Sequence, residues 1–166
     1  MTYRIDPLDL EASRRTFCSG CEPLDRYFVE QVGQDVRRGI TACFVAKDSD
    51  GNIAGYYTLA SCGILLNELP DGVTKKLPRY PSVPAVLLGR LAIDKTCQGI
   101  GLGGVLLVNA MKKCVASEIA AYALVVDAID DNAGRFYGHF GFLPFPSRSD
   151  RFFLPMATAR GLIASI

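Results

Sequence analysis

The chain has 166 residues, of which 49% are hydrophobic and 21% are charged, with Lys+Arg 18 against Asp+Glu 17. This composition excludes a disordered chain and a coiled coil, and the length suits one domain with a core of its own. The net charge of +1 excludes a protein whose whole surface binds polyanions, so any nucleic-acid contact requires a local basic patch.

The predicted elements begin with a helix over residues 23–38, where apolar side chains recur at three-to-four spacing and Gly39 follows as a stop. Residues 42–47 and 53–61 are rich in strand-forming side chains. Between them, residues 48–52 contain the Asp, Gly and Asn typical of a turn, so the two segments predict a hairpin.

The next segment, residues 69–84, contains four prolines and predicts a loop with a short helix at most. Residues 85–93 are apolar enough for a central strand. The longest helical pattern covers residues 101–117, and it is followed by a buried strand at 121–128 and a short helix at 131–140.

A last strand at 151–156 completes the predicted elements. Strands therefore precede, alternate with and follow helices, which indicates an α/β (α+β) fold with a mixed sheet packed by helices. No apolar run reaches the roughly 18 residues that span a bilayer, and the N-terminus lacks the apolar centre of a signal peptide. We therefore expect a cytoplasmic protein with no membrane contact.

In that compartment the six cysteines are expected to be thiols rather than disulfides. Cys18 and Cys21 form a CxxC, but no second pair follows, and His139 is the only histidine. A zinc site would need more ligands at suitable spacing, so we predict no metal and favour small buried thiols.

The strongest local signal is a glycine-rich segment between the predicted strand 85–93 and the long helix, which reads Gln98-Gly99-Ile100-Gly101-Leu102-Gly103-Gly104. Glycines at a strand-to-helix turn let backbone N–H groups approach a ligand closely, and the helix N-terminus adds unpaired donors and partial positive charge. These features favour a phosphate or pyrophosphate site. A glycine turn without a ligand is the alternative, and a Walker loop is excluded because no Gly-Lys-Ser/Thr follows.

The motif Q-x-x-G-x-G at Gln98–Gly103 resembles the signature of GNAT-superfamily N-acetyltransferases. The downstream run from Ala133 through Phe136, Tyr137 and Gly141-Phe142 is similar to the A-x-x-F-Y-x-x-x-G-F of the same family. The resemblance implies a single GNAT-like domain over residues 1–166, with a mixed central β-sheet packed by helices on both faces. It also implies that the glycine-rich segment holds the pyrophosphate of acetyl-CoA.

A narrower resemblance covers nearly the whole chain. The segments Phe17–Asp25, Gly55–Ala60 and Pro84–Asp94 recur together in the acetyltransferase toxins of type II toxin–antitoxin modules, the TacT/AtaT-like group. This resemblance implies an enzyme that acetylates the amino group of aminoacyl-tRNA and stops translation. It also implies neutralisation by a ribbon-helix-helix antitoxin, and we expect a homodimer.

The resemblance assigns further site residues. Tyr137 matches the tyrosine near the thioester sulfur, where a phenol donates a proton to the departing thiolate. Backbone groups of Leu91, Ala92 and Ile93 would pair with the pantetheine arm, and Phe136 would pack against the cofactor. Asp130 stands where many relatives have an asparagine that contacts the cofactor.

From the residues alone, a core aromatic is the favoured interpretation of Tyr137, and His139 is either a general base or a surface side chain. Arg90 on a buried strand predicts either a contact to tRNA or across a dimer, or an ion pair with a carboxylate such as Asp127. A basic surface for tRNA is expected at Lys75, Lys76 and Arg79 on the proline-rich loop, with ordinary solvated charge as the alternative.

Two other functions remain open at this stage. One is a GNAT acetyltransferase of a small amine or a protein N-terminus, which would share the cofactor site without the basic surface. The other is an inactive CoA-binding interaction module, against which Tyr137 argues.

Overall fold

Seven strands supply the framework of the fold in the computed structural model, which describes residues 2–166. In chain order they are β1 (Arg4–Pro7), β2 (Ala42–Lys47), β3 (Ile53–Leu65), β4 (Ser82–Ile93), β5 (Ala123–Asp127), β6 (Leu143–Phe145) and β7 (Arg148–Pro155). They form one sheet in the order β1-β2-β3-β4-β5-β7-β6. The sheet is mixed because β4 and β5 run parallel, whereas β1–β2, β2–β3, β5–β7 and β6–β7 are antiparallel.

The helices lie between and after these strands. They are α1 (Glu22–Arg26), a π-helical turn (Tyr27–Gln31), α2 (Val32–Arg37), α3 (Asp71–Thr74), α4 (Leu102–Ala116), α5 (Asp131–His139) and α6 (Met156–Ala164). The helix predicted at 23–38 is confirmed as the run from α1 through α2, and Gly39 follows it with φ +71°, a conformation that favours glycine.

The contacts divide the chain into two compact units. The first unit comprises the residues up to Ala60 and Gly89–Ala110. Its core is an aromatic cluster in which Phe28 stacks on Tyr56 with ring centroids 4.2 Å apart, and Phe17 packs edge-on against both rings. Burying these large rings supplies much of the apolar stabilisation of this unit.

Adjacent tyrosines on β3 show that helices cover both faces of the sheet in the first unit. The Tyr56 hydroxyl donates to the Leu24 carbonyl of α1 at 2.7 Å, and the Tyr57 hydroxyl bonds to Asn109 Oδ1 of α4 at 2.5 Å. Successive side chains of a strand point to opposite faces, so α1 and α4 lie on opposite faces of the sheet.

The predicted hairpin is confirmed, with β2 and β3 paired from Ala42↔Leu59 to Lys47↔Ile53. The Asp48 carboxylate accepts the N–H groups of Asp50 and Asn52, each at 2.9 Å, and Gly51 has φ +83°. The turn is therefore closed by the side-chain chemistry that the sequence predicts.

The second unit comprises Ser61–Leu88 and Met111–Ile166. Here β5 is central, with β4 on one side and β7 on the other, and Ala123, Val125 and Phe153 are buried in its core. Helix α6 starts at the end of β7, and its Met156 N–H donates to the Tyr122 carbonyl at 2.7 Å.

Some expected boundaries were wrong. The fourth strand begins at Ser82 rather than residue 85 and includes Pro84, while β3 continues to Leu65 rather than ending at residue 61. Strands β1 and β6 and helix α6 were not predicted from the sequence. The proline-rich segment does contain a short helix, α3, as expected.

Candidate active site

The glycine-rich segment forms an open turn that leads directly into α4. Gly99 and Gly101 have φ +76° and +85°, and a Cβ built at either position would meet no atom within 4 Å. Since L-residues are strained at such angles, glycine is required here by the backbone conformation rather than by crowding.

This turn presents unpaired backbone donors at the start of α4. The first helical hydrogen bond runs from the Val105 N–H to the Gly101 carbonyl at 3.2 Å, so the N–H groups of residues 102–104 have no carbonyl partner one turn earlier. Gly103 and Gly104 keep these donors free of bulky side chains. The arrangement suits an anion, because the donors coincide with the positive end of the helix dipole.

Side chains beside the turn fix its shape. Gln98 Nε2 donates to the Ser19 carbonyl at 2.8 Å and to the Ile93 carbonyl at 2.9 Å, which ties the turn to the end of β4 and to the segment before α1. Leu102 is buried, whereas Ile100 is 61% exposed. The two hydrogen bonds of the Gln98 side-chain amide therefore hold the turn in place.

The strand before the turn offers a second set of backbone groups. The ladder between β4 and β5 covers Ala85↔Ala123 to Leu88↔Val126 and stops there, although β4 continues to Ile93. Leu91, Ala92 and Ile93 lie in this extension, with Ala92 packed in the aromatic core. A strand that outruns its neighbour leaves an edge that an extended amide-bearing ligand can pair with.

Tyr137 lies on α5 in the second unit with only 5% of its surface exposed. Its ring packs against Phe136 and Phe142, with centroid distances of 5.3 and 5.5 Å. The hydroxyl makes no hydrogen bond within residues 2–166. Among those residues, Thr58 Oγ1 is the one side-chain polar atom that is both fully buried and unpaired. The unpaired Tyr137 hydroxyl is therefore not fully buried and remains accessible at the end of a buried ring.

The surroundings of Tyr137 keep its phenol protonated. Burial raises the pKa of Tyr137 well above the ordinary tyrosine value, and the negative charge of Asp127 raises it further. A neutral phenol with a free O–H is suited to donate a proton.

Asp130, which stands where many relatives have a cofactor-contacting asparagine, is the N-cap of α5. Its Oδ1 accepts the Ala133 N–H at 2.8 Å. His139, at the other end of the helix, is exposed. These positions assign Asp130 a structural contact and leave His139 on the surface.

The ion pair considered between Arg90 and Asp127 is wrong. Arg151 of β7 donates to both carboxylate oxygens of Asp127, at 2.8 and 3.1 Å, because the two residues face each other in the β5–β7 register. Arg90 instead lies over the ring of Tyr27, with Cζ 3.4 Å from the ring centroid. Sequence reasoning did not single out Tyr27, which lies within the helix predicted over residues 23–38.

The expected basic residues lie in the second unit, where Lys75 caps the C-terminus of α3 and Lys76 and Arg79 follow it. All are exposed, and Tyr80 beside them is 63% exposed. None of the three cations takes part in an ion pair within residues 2–166. Phe152 is half-buried and packs near Gly134.

Residues 2–166 contain no group of three or more His, Cys, Asp or Glu side chains arranged to hold a metal ion. They also contain no helix with the length and apolarity needed to cross a bilayer.

Comparison with known proteins adds independent findings. The model of the acetyltransferase (GNAT) domain family matches residues 19–152. A "tRNA-acetylating toxin" of Mycobacterium tuberculosis strain H37Rv is 38% identical over 150 residues, which cover 89% of each chain. A "probable toxin TacT" of Sinorhizobium fredii is 28% identical over 170 residues, covering 96% of this chain and 94% of the relative.

Solved structures are similar over almost the whole chain. A Y145F mutant of KacT superposes with TM-score 0.90 at 27% identity, covering 98% of this chain and 99% of the other. AtaT complexed with acetyl-methionyl-tRNAfMet gives TM-score 0.87 at 28% identity, with coverage of 97% and 99%. AtaTR bound with AcCoA gives 0.84 at 28% identity, with coverage of 96% and 97%.

Proposed function

The chain belongs to the acetyltransferase (GNAT) domain family, and we propose that it is a toxin that acetylates the amino group of aminoacyl-tRNA. The main observation in support of aminoacyl-tRNA as the acceptor is the 38% identity to a tRNA-acetylating toxin over 89% of both chains. Similarity to AtaT complexed with acetyl-methionyl-tRNAfMet supports the same acceptor. Acetylation removes the nucleophilic amine that peptide-bond formation requires, so translation stops.

The donor is acetyl-CoA, which supplies an acetyl thioester. The residues fit this molecule because the N–H groups of residues 102–104 are unpaired at a helix N-terminus, where a pyrophosphate gains both hydrogen bonds and dipole stabilisation. Gly99 and Gly101 give that turn its shape and leave open space beside it. The resemblance assigns the same segment, from Gln98 to Gly104, to the pyrophosphate.

The extension of β4 is proposed to hold the amide-bearing arm of the donor. Backbone groups of Leu91, Ala92 and Ile93 would pair with its amides as an added strand does. Phe136, half-buried on α5, is proposed to pack against the donor. These contacts orient the thioester without using any charged side chain.

Tyr137 is proposed as the proton donor of the reaction. When the acceptor amine forms its bond to the acyl carbon, the carbon–sulfur bond breaks, and Tyr137 Oη donates a proton to the sulfur. The amine loses its own proton to solvent, which restores the phenol through water. The accessible hydroxyl on a buried, protonated ring supports this role.

The acceptor side is proposed to use cationic side chains. Arg90 on β4 and the exposed trio Lys75, Lys76 and Arg79 are the candidates that supply charge for the phosphates of tRNA. Exposed Tyr80 beside the trio offers a face on which a base can stack.

Two protein partners complete the proposal. A ribbon-helix-helix antitoxin is proposed to bind and neutralise the enzyme, in agreement with the relatives that are named toxins. A second copy of the chain is proposed to form a homodimer, which light scattering of the purified protein would test.

A cell-free translation reaction tests the proposed function. Adding the protein with acetyl-CoA should stop peptide synthesis, and adding excess fresh aminoacyl-tRNA should restore it. The matched control is Tyr137→Phe, which should leave synthesis running. Inhibition that persists in the absence of acetyl-CoA, or that fresh aminoacyl-tRNA does not relieve, would contradict the proposal.

A further inference from the structure

Arg90 presents its charge without a protein acceptor. Its guanidinium lies over Tyr27, at 3.4 Å between Cζ and the ring centroid, and no hydrogen bond or ion pair joins it to another side chain or carbonyl within residues 2–166. Its nitrogens are not among the buried unpaired atoms, where Thr58 Oγ1 stands alone for the same residues. A half-buried arginine thus keeps its N–H edge free and open to a ligand.

The ring beneath Arg90 is held in one orientation by its own partners. The Tyr27 hydroxyl donates to Asp35 Oδ2 at 2.8 Å, and Gln31 Nε2 donates to Asp35 Oδ1 at 3.0 Å. Tyr27 and Gln31 begin and end the π-helical turn, a rare irregularity that occurs frequently at functional sites. These hydrogen bonds from Gln31 and Tyr27 lower the pKa of Asp35, so its carboxylate stays ionised.

Arg90 faces away from the helix that follows the pyrophosphate turn. Tyr27 belongs to the aromatic core on the α1 face of the sheet, together with Tyr56, whose hydroxyl bonds to α1. Helix α4 packs on the other face, where it bonds to Tyr57. An arginine stacked on Tyr27 is therefore poorly placed to serve the phosphates of the donor at the N-terminus of α4.

We propose that Arg90, stacked on Tyr27, binds the phosphodiester closest to the aminoacylated end of the tRNA, and that Tyr27 is the positioning residue that aims it. This inference rests on the proposed function. An aminoacyl amine carries no negative charge, so the anion nearest to it on the acceptor is this phosphodiester. With one flat face of the guanidinium covered by the ring, the N–H edge remains, and that edge matches a phosphate bidentately.

Three acceptors with the same aminoacyl group distinguish recognition of the phosphodiester from recognition of the amine. They are the intact aminoacyl-tRNA that wild type acetylates, its aminoacyl-CpA fragment with one phosphodiester, and the aminoacyl-adenosine fragment with none. Arg90→Ala should raise KM about 10-fold or more for the first two and leave KM for aminoacyl-adenosine unchanged. The kcat and the Kd of acetyl-CoA should stay within about twofold of wild type.

Variants of Tyr27 test the positioning role. Tyr27→Leu removes the aromatic face and should raise KM for aminoacyl-CpA in the same selective way, whereas Tyr27→Phe keeps the face and should rescue most of the affinity. Combined with Arg90→Ala, Tyr27→Leu should add less than twofold, because both changes remove one interaction. Arg4→Ala is the matched control, since Arg4 is an exposed arginine paired with Asp6 on β1.

The outcomes are distinguishable. A wild-type enzyme that fails to acetylate aminoacyl-tRNA refutes the proposed function itself. If wild type is active but Arg90→Ala is unchanged, weakens acetyl-CoA binding, or raises KM equally for aminoacyl-adenosine, the Arg90 proposal is wrong. Circular dichroism melting checks each fold, and Arg90→Lys, which keeps the charge but not the bidentate edge, should give an intermediate KM for aminoacyl-CpA.

Discussion

Replacing Tyr137 by phenylalanine removes one oxygen atom from the proposed site and keeps the ring that packs the core. The ring stays against Phe136 and Phe142, at centroid distances of 5.3 and 5.5 Å, and the lost hydroxyl has no hydrogen-bond partner within residues 2–166. The free energy of unfolding should therefore change by less than about 1 kcal/mol.

The rate of acetyl transfer should fall by roughly 10²–10⁴-fold, the usual contribution of a positioned general acid. That loss corresponds to about 3–5 kcal/mol of transition-state stabilisation, at about 1.36 kcal/mol per tenfold. The assay follows labelled acetyl transfer to charged tRNA at saturating acetyl-CoA, and calorimetry gives the Kd of acetyl-CoA. A loss below about threefold, or a loss matched by weaker acetyl-CoA binding, would refute the reasoning.

The pH profile provides a second check on Tyr137. Burial first and the charge of Asp127 second raise the pKa of this phenol, so the proton donor remains protonated where an ordinary tyrosine begins to ionise. Wild-type kcat should show no decline near pH 10. A falling limb at the ordinary tyrosine pKa that disappears in Tyr137→Phe would contradict the structural account.

Three further predictions concern the donor turn, the basic loop and a buried thiol. Both Gly101→Ala and Gly101→Asp place a side chain at φ +85°, a conformation that aspartate tolerates better than alanine. A calorimetric loss of acetyl-CoA affinity at least tenfold greater for Gly101→Asp than for Gly101→Ala would therefore indicate charge repulsion at the pyrophosphate. Equal Kd values for the two variants would show that the turn is not part of the donor site. The exposed loop cations are Lys75, Lys76 and Arg79. Reversing these charges should weaken tRNA binding and flatten its salt dependence while the Kd of acetyl-CoA is unchanged, and an unaltered salt slope would count against their role. Burial raises the pKa of the Cys43 thiol to about 12, so iodoacetamide at pH 8 should label exposed Cys18 and spare Cys43 in the folded protein, as peptide mass spectrometry can verify.

Much of the fold could be predicted because local chemistry decides it. The hairpin of β2 and β3 follows from two segments of strand-forming residues around a turn of Asp, Gly and Asn. The first helical run ends at Arg37, and Gly39 just beyond it has a φ of +71°, which favours glycine. The strands β1 and β6 are only four and three residues long, so they carry no periodicity and depend on pairing with a neighbour. The start of β4 at Ser82 was also missed, because this part of the strand contains Pro84 and proline argues against a central strand.

Some features of the candidate site could likewise be predicted from local sequence, whereas others could not. The glycine turn was predictable because its conformation is encoded within a few residues. The partners of Arg90 and Asp127 were not, since they are set by long-range packing: Asp127 meets Arg151 through the register of β5 and β7, and Arg90 meets Tyr27 through the packing of a helical turn on the sheet. Charge alone pairs an arginine with any carboxylate, and only the register decides which one it meets.

The most direct test of the central claim is transfer of radiolabelled acetyl from acetyl-CoA in a mixture of charged tRNAs, free amino acids, polyamines and protein. We expect the label on the α-amino group of aminoacyl-tRNA, released as an N-acetylated amino acid when the ester is hydrolysed, and a reduction of about 100-fold or more with Tyr137→Phe. Label on free amino acids, polyamines or protein, with none on aminoacyl-tRNA, would contradict the account and identify an acetyltransferase of small amines or proteins.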